Sequence, residues 1–197
     1  MPFNILLDEY PNSVVIDEVE YSINSNFKLI LEIIRLLNND LYTNNEKVKF
    51  ALCLFYSEQL PSVQEKAYDE MLKFIHMYKE GKETKLKGKK EPRLLDYDID
   101  SGSIYSAFLQ QYNIDLTEET MHWFKFLTLL ENLSDGNPKL MRIMEIRGME
   151  IDNDMDQKQR AKLRKLKKEY SLEDTNEVVS NIADAFFFGV GGGVKRE

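Results

Sequence analysis

The chain has 197 residues, a formal net charge of −8 and a single cysteine, Cys53. That length suits one domain able to bury roughly 70% of its unfolded surface, and 43% hydrophobic with 30% charged residues excludes a wholly disordered chain. The acidic balance argues against general affinity for nucleic acid or anionic membrane, the lone cysteine excludes an intrachain disulfide, and no apolar run approaches the roughly 20 residues of a membrane span.

The first residues, MPFNILLDEY, have neither the basic start nor the apolar stretch of a signal peptide, which predicts a cytoplasmic protein. β-Branched residues and a tyrosine on either side of Asp17-Glu18 predict a short hairpin from Val14 to Ile23, although Asp-Glu is not a favoured turn pair. From Phe27 to Leu37 only Lys28, Glu32 and Arg35 interrupt an apolar run. Their i, i+4, i+7 spacing draws one narrow polar stripe on an otherwise buried helix.

A helix from Glu46 to Tyr56 comes next, with Asn44 as expected cap and Val48, Ala51, Leu52 and Phe55 on one face. After Pro61, Ser62 and Glu65 have the spacing of a capping box, and Val63, Ala67, Met71, Ile75 and Tyr78 form a stripe that ends at Gly81. Residues 81–95, with Lys85, Lys87, Lys89, Lys90 and Arg93, have the composition of a solvated basic loop.

Beyond it, helices are predicted at Ser103–Tyr112, Glu118–Leu133, Lys139–Ile146 and Asp154–Tyr170, with Thr117, Asn137 and Asn153 as expected caps. Short connections favour one packed domain over residues 1–172, mainly α, a compact multi-helix domain with a short N-terminal β-hairpin. Residues 173–197 make a distinct C-terminal arm. Val178, Val179, Ile182, Ala183, Phe186 and Phe187 are spaced as on an amphipathic helix, before a glycine-rich tail.

Candidate chemistry is sparse. On the Glu118–Leu133 helix, Trp123, Phe126, Leu127, Leu130 and Leu133 line the apolar face. His122 falls with the polar residues, as an exposed partner of Glu118 or Glu119. His76 has Glu80 one turn on and no third partner, and Cys53, within ALCLFY, reads as a small core residue.

Asp96, Asp98 and Asp100 reproduce the first three ligand positions of a calcium loop. Ser101 and Ala107 then stand where that loop needs glycine and glutamate, and DNDMDQ fails likewise at Gln157 and Leu163. The expected role of Asp100 or Ser101 is to cap the next helix. Lys158, Lys162, Lys165 and Lys168 share one helix side without interleaved aromatics, which reads as solvated surface or as a steering face for an acidic partner. No catalytic, metal or cofactor-binding residue is assigned. Ile182, Phe186, Phe187 and Phe188 are the candidate partner-binding residues, because three consecutive phenylalanines cannot all be buried by one face.

SGSIYSAFLQQYNIDL, then MHWFKFLTLLENL and IMEIRGMEI, together with PNSVVIDEVEYSIN, ALCLFY and the lysine-rich middle, resemble in order the bacteriophage gene product 15 family over Leu7 to Leu172. Phe124 stands where the family has a second tryptophan and Ile146 where it commonly has a tyrosine. The resemblance implies a protein of long-tailed phages and prophages of Gram-positive hosts, encoded beside the tape-measure protein. The implied role is a non-enzymatic tail-assembly chaperone in the host cytoplasm, absent from the mature virion, that keeps the tape-measure protein soluble. Implied partners are the tape-measure protein and a companion tail chaperone; self-association of the chain is left open beside them. The alternative is a nucleic-acid-binding phage accessory factor acting through the basic loop and basic helix.

Overall fold

The structure, a computed structural model, describes residues 3–78, 93–133, 138–152 and 155–172. The candidate residues Ile182, Phe186, Phe187 and Phe188, the lysines of the middle loop, Glu80, Asn137 and Asn153 lie outside the described residues. Among the described residues the fold is mainly α, with seven helices behind a two-stranded antiparallel hairpin.

Strands β1 (Ser13–Ile16) and β2 (Val19–Ser22) pair in the register Val14 to Tyr21 and Ile16 to Val19. Asp17 and Glu18 between them both take left-handed conformations, φ 50° and 66°. Positive φ at both turn residues matches the twist of the strands, and that is why a hairpin forms on a pair without glycine or asparagine. Val14 and Ile16 bury against helix α3 (Gln64–Ile75), and Lys66 of that helix pairs with Asp17 of the turn at 2.5 Å.

Helix α1 (Phe27–Asn38) is capped by Asn26, whose side chain accepts from the Lys28 N–H at 2.8 Å. Ile30, Ile33, Ile34 and Leu37 are buried, and Glu32 and Arg35 of the polar stripe are exposed. Helix α2 (Asn44–Phe55) opens with a capping box between Thr43 and Glu46, so the cap is Thr43 rather than Asn44. Only Thr43 has the hydroxyl three residues before a glutamate that this reciprocal pair requires. Ala51, Leu52 and Phe55 hold the packed face. Cys53 therefore points outward with Lys49 and Phe50, which corrects the expectation of a core thiol.

The Ser62–Glu65 box does not form. Val63 occupies the cap position of α3 without a side-chain cap bond, and its carbonyl accepts from Ala67 at 3.1 Å. The helix also stops at Ile75, short of Gly81, where Met77 and Tyr78 turn left-handed and their amides bond the carbonyls of Phe74 and Lys73. Left-handed non-glycine residues cost about 1 kcal/mol or more each. Burial of Met77 and ring contacts of Tyr78 with Phe74 and Phe124 offset that cost.

Helix α4 (Ser101–Tyr112) ends on left-handed Asn113, one of the residues that tolerates that geometry. Helix α5 runs from Trp123 to Glu131, five residues later than expected, because the preceding backbone is extended and bridges Asn26 to His122. Trp123 N–H donates to the Ser25 carbonyl at 2.7 Å, and Phe27 N–H to the Met121 carbonyl at 3.1 Å. These bonds lash the starts of α1 and α5 together. Helix α6 (Pro138–Gly148) comes next, then α7 (Gln157–Glu169), which is capped by Asp156 in a box with Gln159.

The core is built on aromatics. Phe27, Phe108 and Trp123 stack around Phe126 at centroid separations of 4.8, 5.3 and 5.6 Å. Trp123, Phe126, Leu127, Leu130 and Leu133 are buried as the sequence predicts, and Phe124 joins them. Trp123 Nε1–H donates to the Ile75 carbonyl at 2.8 Å, so α5 also satisfies the end of α3. No helix of the described residues is long and apolar enough to cross a membrane.

Candidate interaction surface

His122 is not an exposed partner of Glu118. It is the N-cap of α5: its Nδ1 accepts from the Phe124 N–H at 3.0 Å, and its Nε2 lies 3.0 Å from the Pro11 carbonyl. An accepting Nδ1 leaves the proton on Nε2, which donates to Pro11. The ring stacks on Tyr10 at 4.7 Å and meets Phe74 and Phe124 edge-on. Burial pushes its pKa below the ordinary histidine value, and the Pro11 carbonyl opposes that only in part. The neutral imidazole is thus a structural tie between the N-terminal segment and α5. Burial likewise lowers the pKa of His76.

The aspartate triplet is consumed by guanidinium groups. Asp96 pairs with Arg93 and accepts from the amides of Asp98 and Ile99 at 2.8 Å each, Asp98 pairs with Arg35, and Asp100 pairs with Arg147. Asp100 stands in the cap position of α4, yet its carboxylate makes no cap bond there. It accepts from the Asp96 N–H at 2.8 Å and binds Arg147 through both oxygens, at 2.6 and 3.0 Å. Arg147 also donates to the carbonyls of Leu94, at 2.8 Å, and Tyr170, at 2.7 Å, and its own carbonyl accepts from Lys167 Nζ at 2.8 Å. One arginine therefore joins the segment before α4, α6 and the end of α7. Among the described residues no group of three or more His, Cys, Asp or Glu side chains is placed to hold a metal ion.

The family model described as Bacteriophage Gp15 protein matches residues 6–172, from the N-terminal segment through the end of α7. The chain belongs to the bacteriophage Gp15 family. No curated protein and no solved structure matches it. As a Gp15-family chain, it buries both Phe124 and Ile146.

Among the described residues of this Gp15-family protein, exposed apolar side chains and one basic helix face stand out. Large apolar side chains lie exposed at several places, among them Leu6 and Leu7, Leu41 and Tyr42 between α1 and α2, Phe50 on α2, and Ile99 before α4. Tyr42 and Phe50 touch edge to face at 5.7 Å. The basic face is on α7. Leu163 is buried, whereas Lys158, Lys162, Lys165 and Lys168 are all exposed, as the sequence pattern predicts. Sequence reasoning missed Arg147, since a single arginine in IMEIRGMEI carries no spacing signal for a partner 47 residues away.

Proposed function

We propose that this Gp15-family protein is a tail-assembly chaperone that binds the tape-measure protein in the host cytoplasm and keeps it soluble until the tail tube forms. It acts by binding, without catalysing a reaction. The family match over residues 6–172 carries the phage assignment. The chaperone role is supported by the exposed apolar groups Leu6, Leu7, Leu41, Phe50 and Ile99, carried on a chain of net charge −8. Such strips cover the apolar faces of an elongated helical client, and the surplus charge keeps the complex dispersed. Ile182, Phe186, Phe187 and Phe188 of the C-terminal arm add further client contacts in this reading.

The test is co-expression of the tagged chain with the long helical protein encoded just downstream, scoring how much of that protein becomes soluble and co-purifies. A client that stays insoluble beside a well-folded chain rejects the reading.

The exposed lysines of α7 favour one alternative, a phage accessory factor that binds nucleic acid. That reading requires affinity for duplex DNA that falls steeply with salt.

A further inference from the structure

Helix α7 carries seven lysines and arginines in 13 residues, against one acid, Glu169, within a chain of net charge −8. Leu163 is buried, and Arg160, Leu166, Lys167 and Tyr170 are half-buried on the same side, so these residues form the packed face. On the opposite side Lys158, Lys162 and Lys165 make one exposed row at i, i+4 and i+7. Arg164 and Lys168 make a second, with only Ala161 between the rows. At a rise of 1.5 Å per residue the rows run for about 15 Å.

Arg35, Lys66, Lys73, Arg93 and Arg147, elsewhere in the fold, each hold a carboxylate. Among the described residues no carboxylate pairs with the charged group of Lys158, Lys162, Arg164, Lys165 or Lys168, although the chain has 34 acids to 26 bases. These five also repel one another. Lys158 and Lys162, like Arg164 and Lys168, are four residues apart, and Lys162, Lys165 and Lys168 follow at threes, spacings at which like charges destabilise a helix. A chain with acids to spare that keeps this repulsion departs from a local rule, as functional surfaces do, and an anion from outside relieves it. The form of that anion follows from the ends of the rows, where carboxylates stand: Asp156 at the cap and Glu169 after Lys168. A DNA duplex carries a charge about every 1.7 Å and continues past both ends, so its phosphates meet those carboxylates. The rows also hold no aromatic ring on which a base could stack. An acidic helical stretch of about ten residues has the same length as the rows and stops where the lysines stop.

We propose that the exposed face of α7 is a docking surface for a short, carboxylate-rich helical segment of a partner protein. Lys158, Lys162 and Lys165 meet its acids along one row, and Arg164 and Lys168 along the other. With no large apolar group among them, these cations orient and speed the encounter more than they tighten it. That the partner is the tape-measure client rests on the chaperone reading, while the docking itself does not.

Fluorescence anisotropy of a labelled glutamate–alanine peptide, with its glutamates on one helix face, tests the docking on the full chain. The peptide binds at low salt and is released at about 1 M salt, where charges are screened beyond about 3 Å, and its glutamine counterpart does not bind. Lys158→Gln/Lys162→Gln/Lys165→Gln weakens binding about ten-fold, the sum of three exposed pairs, and leaves the melting temperature unchanged or higher because like charges are removed. Lys49→Gln/Lys125→Gln/Lys139→Gln, which removes the same charge from exposed lysines of α2, α5 and α6, changes binding by less than about two-fold. Absence of binding at low salt overturns the proposal, as does an equal loss in the two triple variants, which reduces it to an effect of net charge. A lowered melting temperature in the α7 variant assigns these lysines to the fold and also overturns it. Tighter binding of a short DNA duplex than of the peptide gives the face to nucleic acid instead. Client capture is scored separately by co-purification, so a failure of one reading leaves the other standing.

Discussion

Arg147 of α6 and Asp100 before α4 form a two-pronged ion pair whose side chains are only 6% and 3% exposed. Removing one partner of such a pair leaves a buried charge, at a cost of about 3–5 kcal/mol. Arg147→Met also strips the donors from the Leu94 and Tyr170 carbonyls, so it destabilises more than Asp100→Asn. Denaturant unfolding of the two single variants and the double variant gives a coupling of about 1–3 kcal/mol. Additive losses would show that the pair does not act as a unit.

The exposed Arg35–Asp98 pair has the same chemistry and a different consequence. With side chains 67% and 49% exposed, it is screened by water, and Arg35→Gln lowers stability by less than about 1 kcal/mol. The same unfolding measurement reads it.

Protonating His122 places an N–H on Nδ1, facing the Phe124 N–H it now accepts from. Its folded pKa lies below the unfolded value of about 6.5, so the folded state disfavours the proton. Stability is complete above pH 6.5 and declines as pH falls below it, until the folded pKa is passed. His122→Asn retains a capping acceptor and titrates nothing. Unfolding measured at pH 7.5 and at pH 5 shows a smaller loss in this variant than in the unmodified chain, with His76 still contributing its own share. An unchanged pH slope would remove His122 from the effect.

Trp123 is fully buried and donates to the Ile75 carbonyl, so Trp123→Ala costs about 3–5 kcal/mol, and Trp123→Phe costs less while leaving that carbonyl without its donor. Melting temperatures of the two variants rank them.

Cys53 is exposed, and a thiol reagent therefore modifies it in the native chain at a rate close to that in denaturant. Labelling only after unfolding would return Cys53 to the core.

On the proposed chaperone reading, alanine at both Phe186 and Phe187 weakens capture of the tape-measure client and leaves the melting temperature unchanged. Equal co-purification would take the arm out of the client contact.

Periodicity alone was enough to mark the packed faces of α1 and α5, because a buried helix face repeats its apolar residues every third or fourth position wherever it docks. Caps were less legible. Thr43 and Ser62 carry the same local signature, three residues before a glutamate, and only Thr43 forms the box. The start of α5 was hidden for a related reason: the bridge between Asn26 and His122 holds the backbone extended through a stretch whose pattern continues as a helix.

Thus the sequence by itself determined the helical class, the hairpin and which apolar faces are inward, all of which are written in patterns within a few residues. It also carried the family signature across residues 6–172. Only the tertiary structure decided that His122 caps rather than pairs, that Cys53 faces out, and that Asp96, Asp98 and Asp100 bind arginines. Those outcomes depend on partners such as Pro11, Arg35 and Arg147, many residues away for His122, Asp98 and Asp100. A buried charge or ring nitrogen takes whichever partner the folded chain brings to it, and no local spacing encodes that choice.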